Sequence, residues 1–263
     1  MRSLFDVVYE DHQFLVINKP AGLVCHPTKT DEYSSLVSRA RLYLGVNARP
    51  QLINRLDRET SGITVFAKGL EAAKTLRGIW EKRQVQKEYL AIVHGRVAQK
   101  YQVIEAPLGK DLHSRVAIKD CVRSDGASAK TEVWVQTTFS RQTPPPAETL
   151  TGGAGPSNSS TVCSEFSLLR VVPQSGRKHQ IRIHLAYIGH PVVGDKLYGV
   201  DEDCYLALVE NRLTHQQSAA LLLPYQALHA GGLAFDWQGT ERRFVAEPET
   251  WFKAFCSSSF VPA

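Results

Sequence analysis

Asp57 is the side chain with the clearest capacity for chemistry. It stands in Asn54-Arg55-Leu56-Asp57-Arg58-Glu59-Thr60-Ser61-Gly62, an acid between two arginines ahead of a Thr-Ser-Gly turn. Flanking cations hold a carboxylate ionised at neutral pH. Ionised, it can attack an electrophilic carbon or partner a cationic transition state. Taken alone, R-L-D-R reads equally as a surface acid balanced by two arginines in a turn. The surrounding motifs decide between the two.

Three further blocks carry reactive or basic groups. Lys19 stands at the mouth of a tight Asn18-Lys-Pro-Ala-Gly22 turn. Lys87 to Gly95 has strand character, and alternation puts Lys87, Tyr89, Ala91 and Val93 on one face, where a flat group could stack on Tyr89. In Gly176-Arg177-Lys178-His179-Gln180-Ile181-Arg182, a turn leads into a helix, and Arg182 lies three and four residues from His179 and Lys178, the spacing of a shared face. A polar, basic loop carrying Arg115 lies between, at 108–115.

The elements that must hold these groups follow from periodicity. Strands are expected at 14–18, 63–67, 87–95, 130–139, 165–172, 227–235 and 243–246. Helices are expected at 34–44 and at 71–83, where Ala72, Ala73, Leu76, Ile79 and Trp80 form one stripe. A partly helical acidic segment runs to Gln217, and a helix ends the chain. Between the 130–139 and 165–172 strands, residues 140–164 are rich in Pro, Gly, Ser and Thr and predict a flexible surface insertion.

Several function classes lack support. The five cysteines are scattered and never form C-x-x-C, which suits reduced thiols and offers no zinc knuckle. His179 and His184 lack the intervening Glu of a zincin helix, and there is neither a phosphate loop nor G-x-G-x-x-G. No metal or nucleotide cofactor is expected. No apolar run is long enough to span a membrane and no signal peptide opens the chain, so a cytoplasmic protein without membrane contact is expected.

The net charge of +5 is modest, but from Arg49 to Lys119 there are 14 Lys/Arg against 7 Asp/Glu, while acids gather at Asp201-Glu202-Asp203. Segregated positive charge favours a polyanionic partner.

Together the four blocks resemble the motif set of the RluA-type pseudouridine synthases, in the expected order from about Val7 to the terminal helix. R-L-D-R-x-T-S-G is the specific signature in the second block. In the fourth it is G-R-x-H-Q-I-R-x-H-L with G-H-P-x-x-G-D-x-x-Y-G. The resemblance implies an α+β fold: a mixed, mainly antiparallel bent sheet with flanking helices and a central RNA-binding cleft. It also implies one catalytic domain over residues 1–263, made of two packed halves, without the separate N-terminal S4 module of some relatives.

The implied activity is cofactor-free isomerisation of uridine in rRNA or tRNA to pseudouridine. By the same resemblance, Asp57 is the nucleophile, attacking C1′ of the sugar or C6 of the base. Arg182 pairs with that carboxylate, and Tyr89 lies against the target base, by stacking or by accepting the C5 proton. Arg55 takes the place of the flipped nucleotide in the RNA stack, since chemistry on a base requires extrusion. Lys19, Arg58, Arg115, Arg177 and His179 face RNA. A monomer is the default.

Two positions depart from the family pattern: Asn54 replaces a usual His and Tyr225 a common Arg, both expected to alter RNA contact rather than chemistry. A glycosidase would need a second carboxylate about 5–9.5 Å away, and no motif assigns Glu59 that role. The rival of a different class is a noncatalytic RNA-binding protein on the same fold.

Overall fold

The computed structural model describes residues 4–27, 34–45, 47–144 and 161–257. Among them the chain runs β1 Asp6–Glu10, β2 Phe14–Lys19, α1 Leu36–Leu44, β3 Gln51–Leu52, β4 Ser61–Ala67, α2 Leu70–Glu81, β5 Val85–His94, β6 Tyr101–Glu105, β7 Leu108–Lys110, β8 Asp120–Val122 and β9 Lys130–Thr143. It continues β10 Val162–Pro173, α3 Gln180–Tyr187, α4 Glu202–Val209, α5 His215–Leu221, β11 Leu228–Trp237, β12 Thr240–Val245 and α6 Thr250–Cys256. The architecture is α+β with a mixed, mainly antiparallel sheet. By contacts the chain divides into two compact units, residues 1–89 with 228–251 and residues 90–227 with 252–263.

In the first unit the strands run β1-β2-β4-β11, with β3 on β4, β12 on β11 and the first half of β5 beside β11. All seven residues of β4 are buried, which is why its sequence reads as a continuous apolar run rather than an alternation. Ile63 and Val65 join Phe14, Val16, Phe235, Trp237 and Phe244 in one core with Ala73 and Leu76 of α2. Phe66 turns the other way, with Leu15 and Ile17, against Leu36 and Ala40 of α1. That helix starts where the Ser35 side chain accepts the Ser38 N–H, one of the donors a helix start leaves unpaired.

In the second unit the rest of β5 is followed across the sheet by β10, β9 and β6. The β9/β10 hairpin pairs from Thr131 opposite Pro173 to Thr143 opposite Val162, with one register shift between Leu168 and Leu169, and runs past the expected ends at Phe139 and Glu165. Its last rungs are polar and escape a reading based on apolar alternation. Of the expected 140–164 insertion, residues 140–143 and 162–164 are therefore strand, and 145–160 lie outside the described residues. The expected basic loop at 108 begins instead as strand, because β7 pairs with β8 in a separate two-stranded sheet. Phe255 of α6 packs edge-on against Phe139 and Phe166. Among the described residues no helix is long and apolar enough to cross a membrane.

Candidate active site

Asp57 is half-buried in the loop that joins β3 to β4. Several uncharged contacts hold the loop. The Asn54 carboxamide donates to Ile63 O at 3.0 Å and accepts the Val65 N–H at 2.8 Å, so a side chain pairs with β4 as strand backbone would. The buried Cys25 thiol donates to Leu56 O at 3.3 Å, and the Thr60 N–H closes a turn onto Asp57 O at 3.2 Å.

Beyond the turn, Ser61 and Gly62 start β4 against β11. His229 Nε2 lies 2.9 Å from Ala246 O and donates to it, while Nδ1 meets the Ser61 hydroxyl at 2.9 Å. Gly62 has φ of 113°, and a Cβ there would stand 2.3 Å from Ala230 O. Only glycine permits this approach of two backbones.

Lys19 is corrected by the structure: it does not face RNA. Its side chain is fully buried and its ammonium donates to Pro20 O, Leu23 O and Arg58 O at 2.9, 2.9 and 3.1 Å. It ties the Lys-Pro-Ala-Gly turn to the Asp57 loop. Burial pulls its pKa down to about 8, against the charges of Glu249, Asp57 and Glu59, which favour the ammonium. Exposed Arg58 stays at the surface, its Nε donating to Gly22 O at 3.2 Å.

The same unit places Tyr89 near Asp57. Burial pushes the Tyr89 phenol up to about 12, and the Asp57 charge adds to the rise, so the hydroxyl is neutral at pH 7. Tyr89 and Lys87, on one face of β5, line a recess with Asn54, Arg55, Gly232 and Leu233. Arg55 is exposed at its edge.

In the second unit Arg182 is almost wholly buried. Its Nε and one terminal nitrogen donate to the two oxygens of buried Asp195 at 2.6 and 2.8 Å. The N–H groups of Leu197 and Tyr198 also donate to Asp195, at 2.9 and 3.0 Å. Although burial opposes ionisation, the Arg182 charge and these bonds hold the Asp195 carboxyl below its usual range. The guanidinium lies over the Tyr198 ring, 5.0 Å from its centroid. Tyr198 OH in turn meets His179 Nδ1 at 2.9 Å. His179 is half-buried beneath this tyrosine, which makes it a positioning group. It caps α3 at a φ of 55°, so Lys178 and His179 precede the helix instead of sharing a face with Arg182.

The remaining expected RNA contacts have partners of their own. Exposed Arg177 donates to Ser128 O at 3.2 Å. Exposed Arg115 pairs its guanidinium with Asp203 and, at 3.8 Å, with Glu202. Lys119 reaches Glu202 at 2.8 Å, and the Ser114 hydroxyl donates to the same carboxylate at 2.6 Å. With these partners the Glu202 carboxyl drops to about 2. The acidic cluster and the basic loop, read as segregated, compensate one another.

Sequence reasoning missed Asn54, His229 and Asp195 as positioning residues. Asn54 was legible only as a departure from a motif. Asp195 and Tyr198 carried a signal, since both belong to the Gly-Asp-x-x-Tyr-Gly block. Among the described residues no group of three or more His, Cys, Asp or Glu could hold a metal ion.

Asp57 and Tyr89 thus lie in one unit of a mixed α+β fold. Residues 13–187 match the family model described as RNA pseudouridylate synthase, and the chain belongs to that family of isomerases. An Aquifex aeolicus protein called an uncharacterized RNA pseudouridine synthase is 31% identical over 253 residues, 94% of this chain and 70% of its own length. The tRNA pseudouridine synthase C of Haemophilus ducreyi is 34% identical over 194 residues, 74% of each chain. The solved structure of human RNA pseudouridylate synthase domain containing 1 shares the fold, with a TM-score of 0.67 at 22% identity over 94% of this chain and 86% of that one.

Proposed function

We propose that this chain isomerises uridine in structured RNA to pseudouridine, with Asp57 as the nucleophile toward a uridine flipped into a cleft of the domain. The observation that carries the reading is that Asp57 and Tyr89 share one unit, near enough for the carboxylate's charge to act on the phenol. The carboxylate is half-buried in a loop fixed on both sides, and its charge reaches a phenol already kept neutral by burial.

Attack at C1′ makes a sugar ester and frees the base as its anion; attack at C6 makes an ester on the base before the glycosidic bond breaks. In either course the base turns, C5 bonds to C1′, the bond to Asp57 breaks, C5 loses a proton and N1 gains one. Every atom and the oxidation level are conserved, so the reaction requires no cofactor. A phenol at about 12 is almost never ionised at neutral pH, which favours stacking of Tyr89 on the base over removal of the C5 proton.

Arg182, its direction fixed by Asp195, is the second basic residue of the reaction centre. Arg55 supports the RNA where the flipped base leaves the stack, and Arg58 and Arg177 contact its backbone. The tRNA activity in the name of the Haemophilus ducreyi relative supports tRNA as the substrate class. We place the protein in the cytoplasm as a monomer.

The test is purified protein on tRNA transcripts labelled at uridine. Wild type should form pseudouridine, and Asp57→Asn should lose turnover by at least about 10⁴-fold while keeping RNA affinity within about threefold, the pattern of a group used in the transition state alone. Equal loss of binding and turnover would contradict the assignment. Mapping pseudouridine in cells with and without the gene then identifies the site.

A further inference from the structure

Lys87 has no role in the scheme above, and its surroundings call for one. It is half-buried on β5, and burial lowers its pKa with no acid nearby to offset the loss of water. Among the described residues neither Lys87 nor Arg55 makes a hydrogen bond or an ion pair. Other buried cations are satisfied: Lys19 by three carbonyls, Lys196 by Pro224 O, Arg182 by Asp195. A half-buried ammonium without a partner is destabilising unless a ligand supplies the missing anion.

The recess it lines states what anion fits. Lys87 and Tyr89 are two residues apart on one face of a strand, about 6.8 Å along it. Arg55 lines the same recess. Two cations beside an aromatic ring suit a nucleotide, with its base on the ring and its phosphate on the cations. We propose that Lys87 binds an RNA backbone phosphate next to the nucleotide whose base lies on Tyr89, in the recess whose edge Arg55 forms. Lys87 would thus set how far the target strand enters the site. This rests on the functional reading above and adds a substrate contact to it.

The test measures binding in the Asp57→Asn background, where no turnover enters. The probe is an RNA hairpin with a uridine loop, titrated over about 50–200 mM salt. Lys87→Met should weaken binding roughly tenfold at the low-salt end. It should also lower the slope of log affinity against log salt by about 0.7–0.9, the signature of one lost phosphate contact. Lys87→Arg should keep the slope. A hairpin whose loop linkages are neutral methylphosphonates should bind wild type and Lys87→Met alike.

Equal slopes for Lys and Met, or the same loss on the neutral hairpin, would overturn the proposal. So would intact binding with a fall in turnover at saturating RNA when Lys87→Met is made in otherwise native protein, since that would place Lys87 in proton transfer. Because Met removes an unpartnered charge and keeps an unbranched chain of similar length, its melting temperature should not fall. Turnover by Asp57→Asn would defeat the functional reading while leaving these binding results interpretable.

Discussion

The Asp57 loop and the Arg182 region each hold a charged side chain of the family motif, and they are built on different electrostatic plans. The loop is fixed by a carboxamide, a thiol, a hydroxyl on an imidazole, and a lysine directed at backbone carbonyls. Around it Arg55 and Lys87 remain without partners in the described protein. Arg182 instead has a dedicated buried carboxylate, which is itself saturated by two backbone N–H groups. The first plan leaves positive charge open to an anionic ligand. The second uses charge to fix a direction, so the letter Arg or Lys does not by itself mark an RNA contact.

The strongest way to break this contrast is Asp195→Asn. It keeps the shape but leaves Arg182 without its counter-charge, and loss of one partner of a buried pair costs about 3–5 kcal/mol. Denaturant unfolding should show the loss, with turnover falling as well. The pH dependence checks the cause. A carboxyl whose folded pKa is depressed adds stability above its unfolded value near 3.8, and that stability is lost as pH falls through the folded value. Wild type should therefore weaken below about pH 4 by more than Asp195→Asn does. Parallel curves would show that the pair is not what holds Arg182.

Gly62→Ala attacks the uncharged plan. The new methyl meets the Ala230 backbone at a positive φ, so strain and displacement together should cost roughly 2–5 kcal/mol. The β4–β11 pairing should loosen, read as faster amide exchange at Ser61 and Ala230. Unchanged exchange would mean the two backbones can part without consequence.

The mildest probe is Asn54→Ala. Removing a side chain that satisfies one backbone acceptor and one donor should cost about 1–3 kcal/mol. Turnover should fall more than RNA affinity, because the loop and not the RNA loses its support. An equal drop in affinity would restore Asn54 as an RNA contact, the role its place in the motif suggested.

What the sequence revealed and what it hid divide along the same line. The Asp57 stretch, β4, α2 and β5 were legible because local periodicity and turn chemistry dictate them. Lys19 was misread as exposed because it follows a turn signal, whereas β2 is buried almost throughout and carries the side chain inward. The pairing of Arg115 was not legible because Asp203 and Glu202 lie 88 and 87 residues further on. Asn54 and Asp195 gained meaning only from a strand edge and a guanidinium that no local pattern announces.

The β9/β10 hairpin has a further bearing, on how the chain can change over time. Its ladder closes at Thr143 and Val162, where the Thr143 and Ser164 hydroxyls meet at 2.6 Å. Register is thus settled before residues 145–160 are reached, and pairing energy does not depend on what connects the two ends. A lineage could lengthen, shorten or replace that connection without disturbing the scaffold. The hairpin end is a natural graft point for a fluorescent reporter or an affinity handle.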